Sequence, residues 1–228
     1  IVGDIMDIEQ VIEAAKGTSI VYNFAAIADI DEAHDKPIPT ATINVLGNMH
    51  VLEAARIAGA RRFVFASTVY VYSESGSFYR ASKQAAERFT ETYFDRYGLE
   101  YNILRYGSLY GRRSDRRNGI YRMLREAVEQ HSITYKGSGE AMREYIHVED
   151  AARMSVQVLA PEFANRHLIL TGQEKLRIRD VMTMISEMMP WPVELHFDEA
   201  NTVHHYKITP YAFQPRIGRK LVLNEHVD

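Results

Sequence analysis

A tyrosine and a lysine stand four residues apart in the stretch FYRASK (78–83), directly before an amphipathic run. On a helix this spacing places Tyr79 and Lys83 on one face. A free phenol has a pKa of about 10, and a nearby ammonium favours the phenolate and lowers that pKa. The pair could therefore take a proton from an alcohol hydroxyl and return it. The same spacing also occurs in helix-surface pairs that have no chemical role.

Two hydroxyl side chains precede this helix at the end of a predicted strand. The run RFVFAS (62–67) is apolar, and Ser67 and Thr68 stand at its carboxyl end. In doubly wound sheets, ligands bind beyond the carboxyl ends of the strands. A hydroxyl at that place can hold a reacting oxygen beside Tyr79. We therefore predict a catalytic set of Thr68, Tyr79 and Lys83, with strand-end capping as the alternative role of Thr68.

Strand-like and helical runs alternate along the first part of the chain. The predicted strands cover 19–26, 62–67 and 101–106, and the predicted helices cover 40–58, 79–97 and 118–131. The strands are apolar on both faces, which is typical of a parallel sheet covered by helices on both sides. Right-handed crossovers then give an α/β, doubly wound Rossmann fold. We predict a Rossmann-like domain over 1–135 and, over 136–228, mainly a small α/β substrate-binding lobe interleaved with it.

Composition narrows the class of protein. The 228 residues carry a formal net charge of −3, which argues against a nucleic-acid partner. The chain has no cysteine, so no thiolate metal site is predicted. The adjacent His204 and His205 lack a third ligand at a metal-binding spacing. No apolar run reaches about 18 residues and no signal peptide is evident, so we predict a soluble cytoplasmic protein with no membrane partner.

Further stretches, taken in chain order, resemble the extended short-chain dehydrogenase/reductase family of the nucleotide-sugar epimerase/dehydratase type. They are GDIMD (3–7), NFAA (23–26), NVLG (44–47), LRYGSLYG (104–111) and GSGEAMREYIHVED (137–150). The last is the strongest single match, and the resemblance runs from Gly3 to about Asp180. It implies an NAD cofactor, with NADP as the alternative, and a nucleotide-sugar substrate. It also implies a homodimer in which the helices 40–58 and 79–97 pair across a two-fold axis.

The resemblance implies roles for individual residues. The cofactor-binding residues it implies are Asp4, Ile5, Phe24, Ala25, Ala26, Ser67, Tyr79, Lys83 and Tyr106. The substrate-binding residues it implies are Thr68, Ser108, Asn118 and Arg143. Arg143 would grip the substrate diphosphate, because a guanidinium fork suits phosphate oxygens.

The function that the resemblance implies is an NAD-dependent isomerase, a nucleotide-sugar epimerase acting at C4. In this family Tyr79 would be the base while the sugar is oxidised to a 4-keto form, which rotates before hydride returns to its other face. Thr68 would orient the reacting oxygen, and Lys83 would hold the ribose and lower the pKa of Tyr79. Two alternatives stay open. One is an NAD(P)H-dependent 4-ketoreductase on the same scaffold, and the other is a non-catalytic nucleotide-binding protein.

The sequence departs from the family pattern in several places. It begins near the third strand, without the G-x-x-G-x-x-G turn that holds the pyrophosphate, so we expect a fragment of a longer chain. Val69 and Tyr70 stand where 4,6-dehydratases carry an Asp–Glu pair, which disfavours dehydration. The absence of cysteine excludes the cysteine-dependent epimerases. The loop from Tyr72 to Tyr79 is short, and Ser108 replaces a frequent asparagine, which leaves the sugar undetermined.

Overall fold

The computed structural model describes residues 2–198 and 205–211 and shows an α/β fold. The strands are β1 (Ile20–Asn23), β2 (Arg62–Thr68), β3 (Glu100–Tyr106), β4 (Ser108–Tyr110), β5 (Ser132–Lys136), β6 (Met142–His147), β7 (Arg166–Leu170), β8 (Lys175–Arg177) and β9 (Glu194–Asp198). The α-helices are α1 (Ile8–Ala15), α2 (Ile30–Asp35), α3 (Pro37–Ala41), α4 (Asn48–Ile57), α5 (Ser77–Tyr97), α6 (Gly119–Gln130), α7 (Val148–Gln157) and α8 (Ile178–Met188).

The central sheet has four parallel strands in the order β1-β2-β3-β7. Successive side chains of β2 point to opposite faces, so Phe63 and Phe65 pack in one cluster and Val64 packs in another. Helices α4 and α5 contribute to the first cluster, and α7 contributes to the second. The predicted parallel sheet with helices on both faces is therefore confirmed.

The helix that carries Tyr79 and Lys83 has glycines at both ends. Gly76 precedes α5 with φ of 99°, and Gly98 follows it with φ of 72°. Both values lie in the left-handed region that glycine adopts without a Cβ penalty. The amide of Gly98 also donates to the carbonyl of Phe94 at 2.8 Å, which closes the last turn. These signals fix the ends of α5.

The predicted helix 40–58 is not regular, which corrects the sequence-based expectation. It consists of α3, a π-helical turn over Thr42–Gly47, and α4. Within the wide turn, the Asn44 side chain accepts from the amide of Ile27 at 2.8 Å and donates to its carbonyl at 2.9 Å. Apolar spacing does not reveal this turn, and the polar contacts made within it reach a residue 17 positions away.

A second group of elements lies beside the central sheet. Strands β5 and β9 pair in parallel, and β4-β6-β8 form a three-stranded sheet. Helices α6 and α8 pack on a cluster of their own, with Met123, Ile133 and Met182 among its buried members. This cluster combines residues from both sides of position 135, so the predicted division of the chain at that residue stays a prediction.

Gly172 marks a close backbone approach just after β7. A Cβ at this position would lie 2.1 Å from the carbonyl oxygen of Tyr145, which belongs to the backbone and cannot rotate away. We expect Gly172→Ala to lower the free energy of unfolding by roughly 1–3 kcal/mol, the usual range for overpacking. Urea denaturation would measure this change. Gly119→Ala is the matched control, because a Cβ at Gly119 meets no atom within 4 Å, and equal stability of the two variants would contradict the prediction.

Candidate functional site

A cavity of about 1320 Å³ opens beyond the carboxyl ends of β1, β2 and β3. It also extends to β6 and to the first turn of α6. The predicted site residues that line it are Phe24, Ala26, Ser67, Thr68, Tyr79, Lys83, Tyr106, Ser108, Asn118 and Arg143. The fold therefore brings together, in one place, residues that are spread over more than half of the chain.

Three predicted cofactor residues do not line this cavity. Asp4 accepts from the amide of Met6 at 2.9 Å, and the carbonyl of Ile5 lies 3.1 Å from Nδ1 of His50. The amide of Ala25 donates to the Asn23 side chain at 3.1 Å. These contacts shape the segments around β1, and the roles of Asp4, Ile5 and Ala25 in cofactor binding stay predictions.

Tyr79 is buried on the first turn of α5, beside Thr68, whose hydroxyl accepts from the amide of Tyr70 at 3.3 Å. Burial raises the pKa of Tyr79 to about 12, because the phenolate loses its hydration, and the Thr68 hydroxyl opposes this only in part. The sequence-based expectation of a pKa lowered by Lys83 is wrong for this structure. The Lys83 ammonium lies 5.9 Å from the centroid of the Tyr79 ring and is engaged elsewhere.

Lys83 is buried beneath the end of β2. Its ammonium donates to the carbonyl of Ala66 at 2.7 Å and lies 4.8 Å from the centroid of the Phe65 ring. Desolvation lowers the pKa of Lys83 to about 8, and the Glu87 carboxylate acts in the opposite direction. At neutral pH the side chain is therefore largely charged, at a cost to the stability of the fold.

This cost predicts a pH dependence of stability. The pKa of Lys83 is about 8 in the folded chain and about 10.5 in the unfolded chain, so between these values the unfolded state holds the extra proton. The free energy of unfolding should therefore increase with pH in that window. Its slope should be at most about 1.4 kcal/mol per pH unit, the value for one proton. Lys83→Met should remove the slope in urea titrations from about pH 8 to 9.5.

The exposed Lys36 gives the matched control. Lys36→Met should keep the wild-type slope, because this ammonium remains in water when the chain folds. A slope that survives in Lys83→Met would show that another group titrates in this window.

Ser67 lines the cavity, but its hydroxyl is already hydrogen-bonded within the protein. Ser67 Oγ donates to Glu87 Oε1 at 2.5 Å. Glu87 is buried on α5 and also pairs with Arg105 of β3. Sequence reasoning missed Glu87 and Arg105, although Glu87 follows Lys83 at i+4 and so lies on the same face of the helix.

Three aromatic rings form one wall of the cavity. Tyr22 and Phe24 stack with centroids 6.0 Å apart and planes 8° apart, and Tyr106 lies 6.2 Å from Phe24. The hydroxyls of Tyr22 and Tyr106 both bond to Ser155 of α7. Phe24 nevertheless keeps 58% of its surface exposed. An exposed ring above the strand ends, in a cavity that the buried Lys83 also lines, fits the planar ring and ribose of a dinucleotide such as NAD.

Arg143 of β6 also lines the cavity. It is buried, donates to the carbonyl of Met142 at 2.9 Å, and holds its guanidinium carbon 4.2 Å from the centroid of the Tyr206 ring. The segment 205–211 is tied to β6 by a hydrogen bond of 2.7 Å from the amide of Met142 to the carbonyl of Lys207. The role of Arg143 in binding a diphosphate stays a prediction.

The same segment brings His205 to Tyr70. The Tyr70 hydroxyl and Nδ1 of His205 share a hydrogen bond, and the Tyr70 ring lies edge-on to Tyr79 at 6.2 Å. Burial lowers the pKa of His205, with Arg143 acting in the same direction, so its imidazole is neutral at neutral pH. His204 lies outside the described residues. Among the described residues, no group of His, Asp or Glu side chains is arranged to hold a metal ion.

Asn118 and Ser108 line the cavity from loop and strand positions. Asn118 caps α6, since its side chain accepts from the amide of Tyr121 at 3.1 Å, and it also donates to the carbonyl of Leu109 at 2.7 Å. Ser108 begins β4. Both contacts of Asn118 are structural, so its predicted substrate contact and that of Ser108 stay predictions.

The sequence model of the "NAD dependent epimerase/dehydratase family" matches residues 1–169. A relative in Bacillus subtilis (strain 168), described as an uncharacterized UDP-glucose epimerase, YtcB, is 25% identical over 198 residues, which cover 81% of this chain and 63% of the relative. The UDP-glucuronate 4-epimerase of Thermodesulfobacterium geofontis is 28% identical over 156 residues, which cover 63% of this chain and 48% of that protein. The chain thus spans about half to two thirds of the length of these relatives.

Solved structures share the fold. The UDP-glucose 4-epimerase of Thermotoga maritima, solved with UDP-glucose, gives a TM-score of 0.85 at 20% identity and covers 92% of this chain and 74% of its own. A dTDP-glucose 4,6-dehydratase of Streptomyces venezuelae, a double mutant solved with NAD and a further ligand, gives 0.80 at 25% identity, with 93% and 69% covered. These similarities confirm the predicted doubly wound fold.

Within the described part of the chain, no helix is long and apolar enough to cross a membrane.

Proposed function

This chain belongs to the NAD-dependent epimerase/dehydratase family, and from that membership we propose that it acts as an NAD-dependent nucleotide-sugar epimerase, with C4 as the reacting carbon. The observation that carries the proposal is the convergence of Thr68, Tyr79, Lys83 and Arg143 on one cavity. A hydroxyl, a phenol, an ammonium and a guanidinium in one cavity would supply a proton-transfer pair and a phosphate-binding group.

The proposed roles follow from where each side chain lies. NAD, when bound, would accept a hydride from the sugar carbon and return it. The Tyr79 oxygen would exchange a proton with the sugar hydroxyl, and the Thr68 hydroxyl, which lines the same cavity, would hold that hydroxyl in line. Lys83 would bind ribose hydroxyls, and Phe24 and Tyr106 would support the planar ring. Arg143 would hold the diphosphate of the nucleotide sugar.

The raised pKa of Tyr79 gives a specific reason to keep the ketoreductase alternative. A phenol with a pKa of about 12 holds its proton at neutral pH, so it is prepared to donate that proton to a ketone oxygen. Both the return half of an epimerisation and a reduction of a 4-keto sugar need this donor. The two functions therefore differ in the fate of the cofactor and not in the arrangement of the protein.

The test is to incubate the purified protein with UDP-glucose, UDP-galactose or UDP-glucuronate and NAD, and to follow the sugars by NMR. Interconversion of C4 epimers without net change in the cofactor would support the epimerase. Consumption of NADH with a 4-keto nucleotide sugar would favour the ketoreductase. Binding of UDP-sugar and NAD with no turnover of any tested sugar would refute both and favour the non-catalytic alternative.

We propose a homodimer through α4 and α5, as the family resemblance implies. Its support is that Ile57 on α4 and Phe89 and Tyr97 on α5 expose apolar surface. We also propose a cytoplasmic location, as predicted from the sequence.

A further inference from the structure

Glu87 lies on α5 one turn beyond Lys83 and two turns beyond Tyr79. Its side chain is buried, with 5% of the residue exposed, although an isolated buried carboxylate is costly. It accepts from Ser67 at 2.5 Å and forms a two-point pair with Arg105, with Nε at 2.9 Å and the second nitrogen at 2.6 Å. Both carboxylate oxygens are thus satisfied, which is the condition for such a charge to persist in a protein interior.

The contacts of this carboxylate tie α5 to neighbouring strands. Ser67 belongs to β2 and Arg105 to β3. His167 of β7 extends the network, since its Nδ1 accepts from Arg105 at 2.7 Å and its Nε2 lies 2.8 Å from Glu91, one turn further along α5. Three adjacent strands therefore hold one face of α5, which fixes the rotation and the position of this helix along the sheet.

The same carboxylate is the charged group that acts on Lys83. Lys83 and Glu87 lie one turn apart on α5 and bond to consecutive residues of β2, the Ala66 carbonyl and the Ser67 hydroxyl. The Tyr79 and Phe65 rings lie 5.9 and 4.8 Å from the ammonium. Arg105 and His167 stand behind Glu87 in the network. Desolvation lowers the pKa of Lys83 to about 8, and Glu87 raises it. Without this negative charge, the ammonium would lose its proton at a lower pH.

We infer that Glu87 is a positioning residue for the proposed reaction: its carboxylate anchors the Tyr79–Lys83 helix to the sheet and supplies the counter-charge that keeps the Lys83 ammonium protonated. The inference rests on the proposed function for its catalytic meaning. Its physical content, the charge state of Lys83, can be measured without any turnover.

The experiment is an NMR titration of protein labelled with ¹³Cε-lysine, in which Lys83→Met assigns the Lys83 signal. Glu87→Gln should lower the titration midpoint of Lys83 by about one pH unit or more, since one nearby opposite charge is removed. Glu91→Gln is the matched control, because it lies on the same helix and in the same network but one turn further from Lys83. It should leave the midpoint in place, and Glu87→Asp should restore most of it.

If Glu87→Gln does not fold because Arg105 is left unpaired, the double variant Glu87→Gln/Arg105→Met removes both buried charges and serves instead. Its Lys83 midpoint should fall in the same way. An unchanged midpoint in the folded variant would overturn the inference. If the wild type interconverts sugars, the alkaline limb of its rate profile should move down with the midpoint in Glu87→Gln. If the midpoint shifts but the protein turns over no sugar, the effect of Glu87 on the charge of Lys83 is supported, and only the proposed function is refuted.

Discussion

Tyr79→Phe should reduce the rate of sugar interconversion by roughly 10²- to 10⁴-fold, the usual contribution of a positioned acid or base. The substitution removes one oxygen from a buried ring that packs with Ile30 and Ala33, so the fold and the affinity for UDP should change little. The hydroxyl lost is the one proposed to exchange the proton. Steady-state rates measured with saturating UDP-glucose would show the loss in kcat and not in KM.

Tyr93→Phe is the control for this substitution. Tyr93 lies on the same helix, and its hydroxyl bonds to Glu53 at 3.1 Å, outside the cavity. It should retain the wild-type rate. A Tyr79→Phe variant with unchanged activity would refute the role given to Tyr79, and with it the enzymatic proposal in its present form.

Arg143→Leu should weaken the binding of UDP by roughly 10- to 100-fold, because hydrogen bonds to charged groups contribute about 1.5–3 kcal/mol. Arg143→Lys should give an intermediate loss, since it keeps the charge but not the two-point fork. Isothermal titration with UDP measures both. Arg88→Leu is the control. It removes an exposed guanidinium of α5 that does not line the cavity, so this variant should bind UDP like the wild type.

An unchanged affinity of Arg143→Leu for UDP would show that Tyr206 and Met142 hold this guanidinium for a structural purpose. The stack of Arg143 on Tyr206 makes this a real alternative, because it already satisfies part of the guanidinium. Tyr206→Ala separates the two roles. If Arg143 binds phosphate, adding Arg143→Leu to the Tyr206→Ala variant should still weaken the binding of UDP.

The part of the cavity whose arrangement agrees with the sequence analysis is the part with local signals. Strand β2 is a continuous apolar run, and α5 is an amphipathic helix ended by Gly98, so the placement of Thr68 before Tyr79 and Lys83 followed from neighbours in the chain. The parallel arrangement then required the strand ends to meet at one edge. Local patterns and one topological rule were sufficient for the core of the cavity.

The parts that the sequence did not reveal depend on distant contacts. Tyr70 and His205 are 135 positions apart, and no pattern around His205 indicates that it reaches the cavity. The direction of the Tyr79 pKa was predicted wrongly because spacing gives the neighbour but not the burial. The π-helical turn was not predicted either. Its residue Asn44 bonds to Ile27, and this contact forms only in the folded chain.

The separate packing of the two groups of elements bears on how such a protein can diversify. Thr68, Tyr79 and Lys83 are held by the central sheet and α5, while α6 and α8 share a core of their own. Substitutions in distant, unshared cores have nearly additive effects. The core that α6 and α8 share can therefore accumulate substitutions during evolution while the arrangement of Thr68, Tyr79 and Lys83 is inherited unchanged.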